Sequence, residues 1–261
     1  MTDVAVMRGA SGALEDAGLK WWKSPRPDVP LILYRPDTSD EKVCREVIDR
    51  NAYQKPRLGF TLEAGDRWLD AGAHIGTFSA LALHRGADLV VAVEPVPEFG
   101  LMLKLNTTPP KDRAVLYEGV VTPPGKEQAR VVYVRSGQTG WRSTTLRTRR
   151  MDAVTQIVAP AFPIDRLISG FDLDCVKLDI EGAEIEMLEA WTPPASVRKL
   201  VFEWPFDVDD DTARLRSVLA DLETGGFKLA YHSRIDRIDT WRKADGGLIY
   251  PNGQLCFAWR E

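Results

Sequence analysis

Two acidic turns carry the residue types that could do chemistry. In the first, Asp70-Ala71-Gly72-Ala73-His74-Ile75-Gly76-Thr77 closes an apolar run that starts at Arg67. Gly72 and Gly76 would let backbone approach a ligand where a Cβ would clash, and the helix expected to follow offers free N–H donors at its start. Glu94 ends the next apolar run, 22 residues after Gly72. A carboxylate there is placed to accept from both ribose hydroxyls of an adenosine. In the second turn, Cys175 to Glu184, an apolar run delivers Asp179 and Glu181 to the same edge, and Glu203 ends a third run.

The spacing separates ligand classes. A dinucleotide fingerprint wants GxGxxG, whereas this chain has GxxxG, and Asp70 at the strand end would repel a pyrophosphate. A carboxylate there suits a ligand with an ammonium and a sulfonium, which is S-adenosylmethionine. The residues expected to hold it are Asp70, Gly72, Ala73, His74, Gly76, Thr77, Glu94, Pro95, Gly119, Val120 and Asp179. The bland alternative is an ordinary strand-turn-helix junction with a surface glutamate one strand later. His74 reads as presenting backbone to the cofactor and packing its ring, with a role as base as the alternative. Lys177 alternates with Asp179 on one strand face and reads as its structural ion partner.

Methyl transfer depends on alignment and, for a hydroxyl acceptor, on a proton acceptor. Asp179, Glu181 and Glu203 are the candidate catalytic carboxylates. Each has a second reading. Asp179 could hold the methionine end or a divalent ion, but only Glu181 and Glu203 are obvious helpers, so no metal is expected. Glu181 could cap the following helix, and Glu203 could sit on the rim. Three carboxylates could also grip a cationic acceptor, which keeps N-methylation of an amine, guanidinium or peptide open. Trp204-Pro205 is placed near the acceptor, while Trp21, Trp22 and Trp141 read as core or cap. The basic stretch with Arg142, Arg147, Arg149 and Arg150 reads as a solvated face, with anion recognition as the alternative.

The elements that must position these groups alternate from Arg67 onward. Strands are predicted at 67–71, 89–94, 114–120, 174–179, 198–204, 227–232 and 253–260, and helices at 76–85, 97–106, 182–190 and 210–224. The pattern predicts an α/β fold: a mostly parallel seven-stranded sheet with helices on both faces. The last two strands are joined only through Gly246-Gly247 and Pro251-Asn252-Gly253, so the last strand should be antiparallel, unlike a dehydrogenase sheet. Residues 122–172 break the alternation, with Pro123-Pro124-Gly125, Gly137 and Gly140, and read as a hairpin insertion in a domain spanning 67–261. Residues 1–66 read as a cap packed on that domain, with a short strand at 31–34 and a helix. Thr38 and Glu41 should form its capping box, and Val43, Val47 and Ile48 its apolar face.

DAGAHIG, AVEP and KLDIEGAE in this order closely resemble the signature of the FkbM-type family of class I methyltransferases. Supporting matches are Phe60 to Asp66, Leu103-Lys104-Leu105-Asn106, Ser143-Thr144-Thr145-Leu146, Pro163-Ile164-Asp165-Arg166-Leu167 and Phe202-Glu203-Trp204-Pro205. The resemblance implies a Rossmann-like fold, S-adenosylmethionine as donor, and O-methylation in natural-product or glycan pathways. It spans Phe60 to Glu203 and leaves the first 59 residues unmatched, so acceptor specificity could reside there.

The chain's 34 basic and 38 acidic residues give a net charge of -4, which argues against nucleic acid and for a small-molecule acceptor. Cys44, Cys175 and Cys256 are widely spaced and odd in number, so neither a disulfide framework nor a zinc site is suggested and a reducing cytoplasm is expected. The first 20 residues carry too many charges for a secretory leader, and no long apolar run indicates a membrane span. Oligomeric state is open, a homodimer included. Two rival functions stand beside the methyltransferase: a nicotinamide oxidoreductase, disfavoured by GxxxG and Asp70, and a catalytically inactive cofactor-binding interaction module.

Overall fold

The computed structural model describes residues 18–108, 112–135, 142–144, 154–204, 211–231 and 254–261. It begins with two short strands, β1 (Lys20–Trp22) and β2 (Ile32–Tyr34), paired antiparallel, so part of the lead-in is regular. Helix α1 (Ser39–Cys44) follows and runs into a π-helical turn over Arg45–Asp49. Thr38 caps α1 by accepting from the N–H of Asp40 at 3.2 Å, one residue earlier than a capping box with Glu41 would require.

The main sheet is built from β3 (Arg67–Ala71), β4 (Leu89–Glu94), β5 (Ala114–Glu118), β11 (Cys175–Leu178), β12 (Lys199–Trp204), β13 (Lys228–Tyr231) and β14 (Gln254–Trp259). Their order is β13-β14-β12-β11-β3-β4-β5. Only β14 runs antiparallel among these strands, inserted between β12 and β13. Strands covered on both faces read as unbroken apolar runs, and β4 is buried along its whole length. On one face lie the N-terminal segment, α2 (Thr77–His84) and α3 (Pro97–Asn106); on the other lie α4 (Ile164–Phe171), α5 (Glu184–Ala190) and α6 (Asp211–Thr224). Pro97 at the start of α3 is the residue a first helical turn tolerates best.

The strand expected over 114–120 breaks at Gly119. The N–H of Gly119 bonds to Glu94 at 3.1 Å, and that of Val120 to Pro160 at 2.9 Å, so the chain leaves the sheet. It continues as β6 (Val120–Thr122), paired parallel with β10 (Ala161–Pro163). A Cβ on Gly119 would lie 2.6 Å from the Pro160 carbonyl oxygen, which explains the glycine at the break. Between them, β7 (Arg130–Arg135) pairs antiparallel with both β8 (Arg142–Thr144) and β9 (Val154–Ala159). Gly137, Gly140, Trp141, Thr145 and Leu146, the arginines 147, 149 and 150, Pro205, and the glycine-containing stretches at 246–247 and 251–253 lie outside the described residues, as do residues 1–17.

Asn106, at the end of α3, ties the N-terminal segment to the first acidic turn. Its side chain accepts from Leu33 N at 2.7 Å and donates to Leu33 O at 3.0 Å and Ile75 O at 2.7 Å. All three bonds are buried, where an unmade one is costly. Among the described residues no helix is long and apolar enough to cross a membrane.

Candidate functional site

The two acidic turns interlock at the carboxyl edge of the sheet. Gly72 has φ 77°, and a Cβ there would overlap the carbonyl oxygen of Asp179. Gly76 has φ 82°, and its Cβ would lie 2.7 Å from Leu103 Cδ1. Both glycines are therefore required by contacts within the protein. His74 also lies in the left-handed region, at φ 52°. That conformation lets its N–H donate to Glu94 Oε2 at 2.8 Å, while Val96 N donates to Oε1 at 3.0 Å.

Burial pushes the Glu94 carboxyl up to about 7 against the pull of those two N–H groups. A carboxylate accepts about four hydrogen bonds, so Glu94 retains lone pairs for a further donor. The His74 ring packs edge-on to Phe99 at 4.3 Å, with Nε2 3.3 Å from Asp40 Oδ1. Burial lowers its pKa to about 4, so the imidazole is neutral at neutral pH and serves in packing.

A cavity of about 510 Å³ opens along this edge. Of the expected cofactor residues, Gly72, Ala73, His74, Thr77, Glu94, Pro95, Gly119, Val120 and Asp179 line it. Asp70 and Gly76 do not. Asp70 is fully buried, paired with Lys177 Nζ at 2.9 Å and accepting from Ser79 Oγ at 2.6 Å. Lys177 Nζ also reaches Gly72 O at 3.0 Å, so Asp70 and Lys177 form a strut beneath the turn where a ligand contact from Asp70 was expected. Burial works to lower the Lys177 pKa, but Asp70 and Asp179 outweigh it and the group stays charged.

Asp179, Glu181 and Glu203 all line the cavity. Asp179 Oδ2 accepts from the Tyr53 hydroxyl at 2.6 Å and lies 3.7 Å from Lys177 Nζ. Glu203 hydrogen-bonds Asp179; burial first, then the charges of Asp179 and Glu181, push its carboxyl up to about 9. At neutral pH Glu203 therefore keeps its proton. Glu184 is the carboxylate that braces the turn, accepting from Ile180 N at 2.6 Å and Gly182 N at 2.7 Å. Burial raises Glu184 to about 8. Glu181 is exposed at the rim, at φ 55°. Trp204, expected beside the acceptor, is instead fully buried and packs on Phe202 at 6.4 Å. Among the described residues, no group of three or more His, Cys, Asp or Glu is arranged to hold a metal ion.

Two features of the site were missed by sequence reasoning. Ser39, Lys42, Val43, Glu46, Val47 and Arg50 line the cavity at helical spacing, while Asp40, Cys44 and Ile48 on the opposite side of the same segment are buried. Periodicity could have found this stripe: Val43 and Val47 belong to the apolar face as read, and they border the cavity as well. Tyr53 carries no local signal at all, since its partner is 126 residues away.

The chemistry of this set fits S-adenosylmethionine. Glu94 is an acceptor for a ribose diol, the backbone of Gly72 to His74 suits the amino-acid end, and Pro95, Phe99, Val120 and Val121 give an apolar slot for a purine.

The methyltransferase FkbM domain model matches residues 70–229. No curated protein matches the chain. Among solved structures, methyltransferase FkbM from Methylobacillus flagellatus KT has 17% identity and a TM-score of 0.45, and the alignment covers 76% of this chain and 45% of that one. Precorrin-6y C5,15-methyltransferase from Geobacter metallireducens GS-15 has 14% identity and a TM-score of 0.40, with 77% and 82% covered. Aeropyrum pernix fibrillarin, solved with bound S-adenosyl-L-methionine, has 11% identity and a TM-score of 0.38, with 85% and 74% covered.

Proposed function

From the premise that this chain belongs to the FkbM-domain methyltransferase family, an enzyme using S-adenosylmethionine, we propose that it methylates a hydroxyl of a small-molecule acceptor. The observation that carries the hydroxyl reading is the Asp179 carboxylate on the cavity floor, held by the Tyr53 hydroxyl at 2.6 Å with Lys177 Nζ 3.7 Å away. A carboxylate fixed in this way is a base ready for a hydroxyl proton. The cavity walls support the same reading, since Lys42 and Arg50 sit among Glu46, Ser39 and apolar residues.

In this mechanism the bound cofactor supplies a methyl group already activated on a sulfonium. The chain supplies alignment and a proton acceptor. Glu94 and the Gly72 to His74 backbone hold the donor's adenosine and amino-acid ends, and Asp179 takes the acceptor's proton while Glu203 and Lys177 steady the charge. The N-terminal segment to residue 66 acts as a cap, with the Ser39-to-Arg50 stripe facing the acceptor. The buried thiols of Cys44, Cys175 and Cys256 favour a reducing, cytoplasmic setting.

Incubation with methyl-carbon-13 S-adenosylmethionine and a panel of hydroxylated and aminated small molecules tests the proposal. A methoxy carbon signal in the product is expected. An N-methyl signal in its place would support the second reading, which the convergence of Asp179, Glu181 and Glu203 favours: an amine or guanidinium acceptor.

A further inference from the structure

We propose that Tyr53 is a positioning residue for methyl transfer: its hydroxyl fixes the Asp179 carboxylate that receives the acceptor's proton. The inference rests on the reading of Asp179 as that base. Tyr53 comes from the N-terminal segment, outside residues 70–229 matched by the family model. Its ring is buried against Phe78, with centroids 5.4 Å apart and planes at 74°, and Lys177 Nζ lies 5.5 Å from the ring centroid. These contacts aim the hydroxyl, which donates to Asp179 Oδ2 at 2.6 Å. Lys177 approaches the same oxygen at 3.7 Å.

With Oδ2 held by the Tyr53 hydroxyl and close to Lys177, the carboxylate is fixed in orientation. A donor to the charged form also sets how tightly the site binds a proton. The charged and titratable groups around Asp179 are Tyr53 from the N-terminal segment, Lys177 on β11, Glu203 on β12, Glu181 and Glu184 in the turn and helix that follow β11, and His74 from the first turn. Among them Tyr53 is the neutral donor, and Lys177 is already shared with Asp70 and the Gly72 carbonyl.

A carboxyl carbon-13 NMR titration of the full chain labelled at aspartate and glutamate, without added ligand, reads the Asp179–Glu203 pair. Asp179→Asn and Glu203→Gln identify its signals. Tyr53→Phe removes only the hydroxyl and should move the pair's titration upward by about one pH unit. Tyr53→Leu should move it in the same direction and lower the melting temperature as well. An unmoved titration in Tyr53→Phe overturns the inference, even if Tyr53→Leu is unstable, because a purely structural tyrosine would act through its ring alone. Failure of the base reading looks different: Asp179→Asn would then retain methyl transfer, while the titration shift in Tyr53→Phe would still be seen.

Discussion

At the amino edge of the sheet, Asp66 accepts from both Lys199 and Arg198, with Lys199 Nζ 3.1 Å from each oxygen, and also from Trp68 Nε1 at 3.1 Å and Glu63 N at 2.9 Å. Asp174 beside it accepts from Arg198 Nε and Arg67 N, each at 2.8 Å. At the carboxyl edge the arrangement is lopsided: Asp179 and Glu94 lie near Lys177, whose ammonium is already committed to Asp70, and Glu184 and Glu203 crowd Asp179. Burial works to raise Asp174, yet Arg198 and the Arg67 N–H outweigh it and hold it low, whereas burial lifts three of the carboxyl-edge glutamates toward neutrality or beyond. Matched charges hold strands together. Unmatched acids cost stability and leave acceptors and protons for chemistry.

The largest effect should come from breaking the matched end. Asp66→Ala leaves Lys199 and Arg198 without their shared buried partner and should cost about 3–5 kcal/mol in urea denaturation. A loss below about 1 kcal/mol would show that the amino edge is not held by this pairing.

At the other end the expected penalty is in binding. Glu94→Gln should weaken S-adenosylhomocysteine by about 10- to 100-fold in calorimetry, the worth of a hydrogen bond to a charged acceptor. Because ribose hydroxyls prefer the ionised carboxylate, wild-type affinity should be full above a pH of about 7, where Glu94 titrates, and fall below it. The variant should lack this dependence, and a parallel fall in both proteins would mean that another group is titrating.

The pH profile of stability sharpens the contrast further. Glu203, at about 9, is raised above its ordinary 4.5, so its stabilising contribution is fully present below 4.5 and is lost as pH rises through about 9. The loss cannot exceed about 1.4 kcal/mol per pH unit for one group. Asp174 is lowered from 3.8, so its contribution is present above that value and is lost as acid protonates it. Acid should therefore undo the amino edge and alkali the carboxyl edge, and denaturation midpoints across pH would reveal a profile that fails to fall on both sides. The smallest effect should be Glu203→Gln at neutral pH, within about 1 kcal/mol, because one neutral group replaces another.

The strands were legible because parallel strands buried on both faces must be apolar runs, and Leu89 to Val93 is such a run. Glu94 and the second turn were legible for a related reason: a charged residue closing an apolar run marks where the sheet opens to ligand. The antiparallel β14 could be inferred because no helical pattern is read between it and the strand before it. Hidden from the sequence were relations set by tertiary contact. Asp70 looked like a ligand residue, yet its partner Lys177 lies 107 positions away. Val43 and Val47 pack in the core as their periodicity indicates, and only the folded chain shows that they also border the cavity. Trp204 follows Glu203 directly, but alternation along β12 turns it away from the cavity into the core.

The overlap that a side chain at residue 72 would make with the Asp179 carbonyl has a practical meaning for redesign. The donor turn and the acid turn are seated against each other with no spare thickness, so neither can be replaced as an independent cassette. Retargeting the enzyme to a new acceptor is better begun at Lys42, Glu46 and Arg50, whose side chains border the cavity from a separate segment and can be varied without prying the two turns apart.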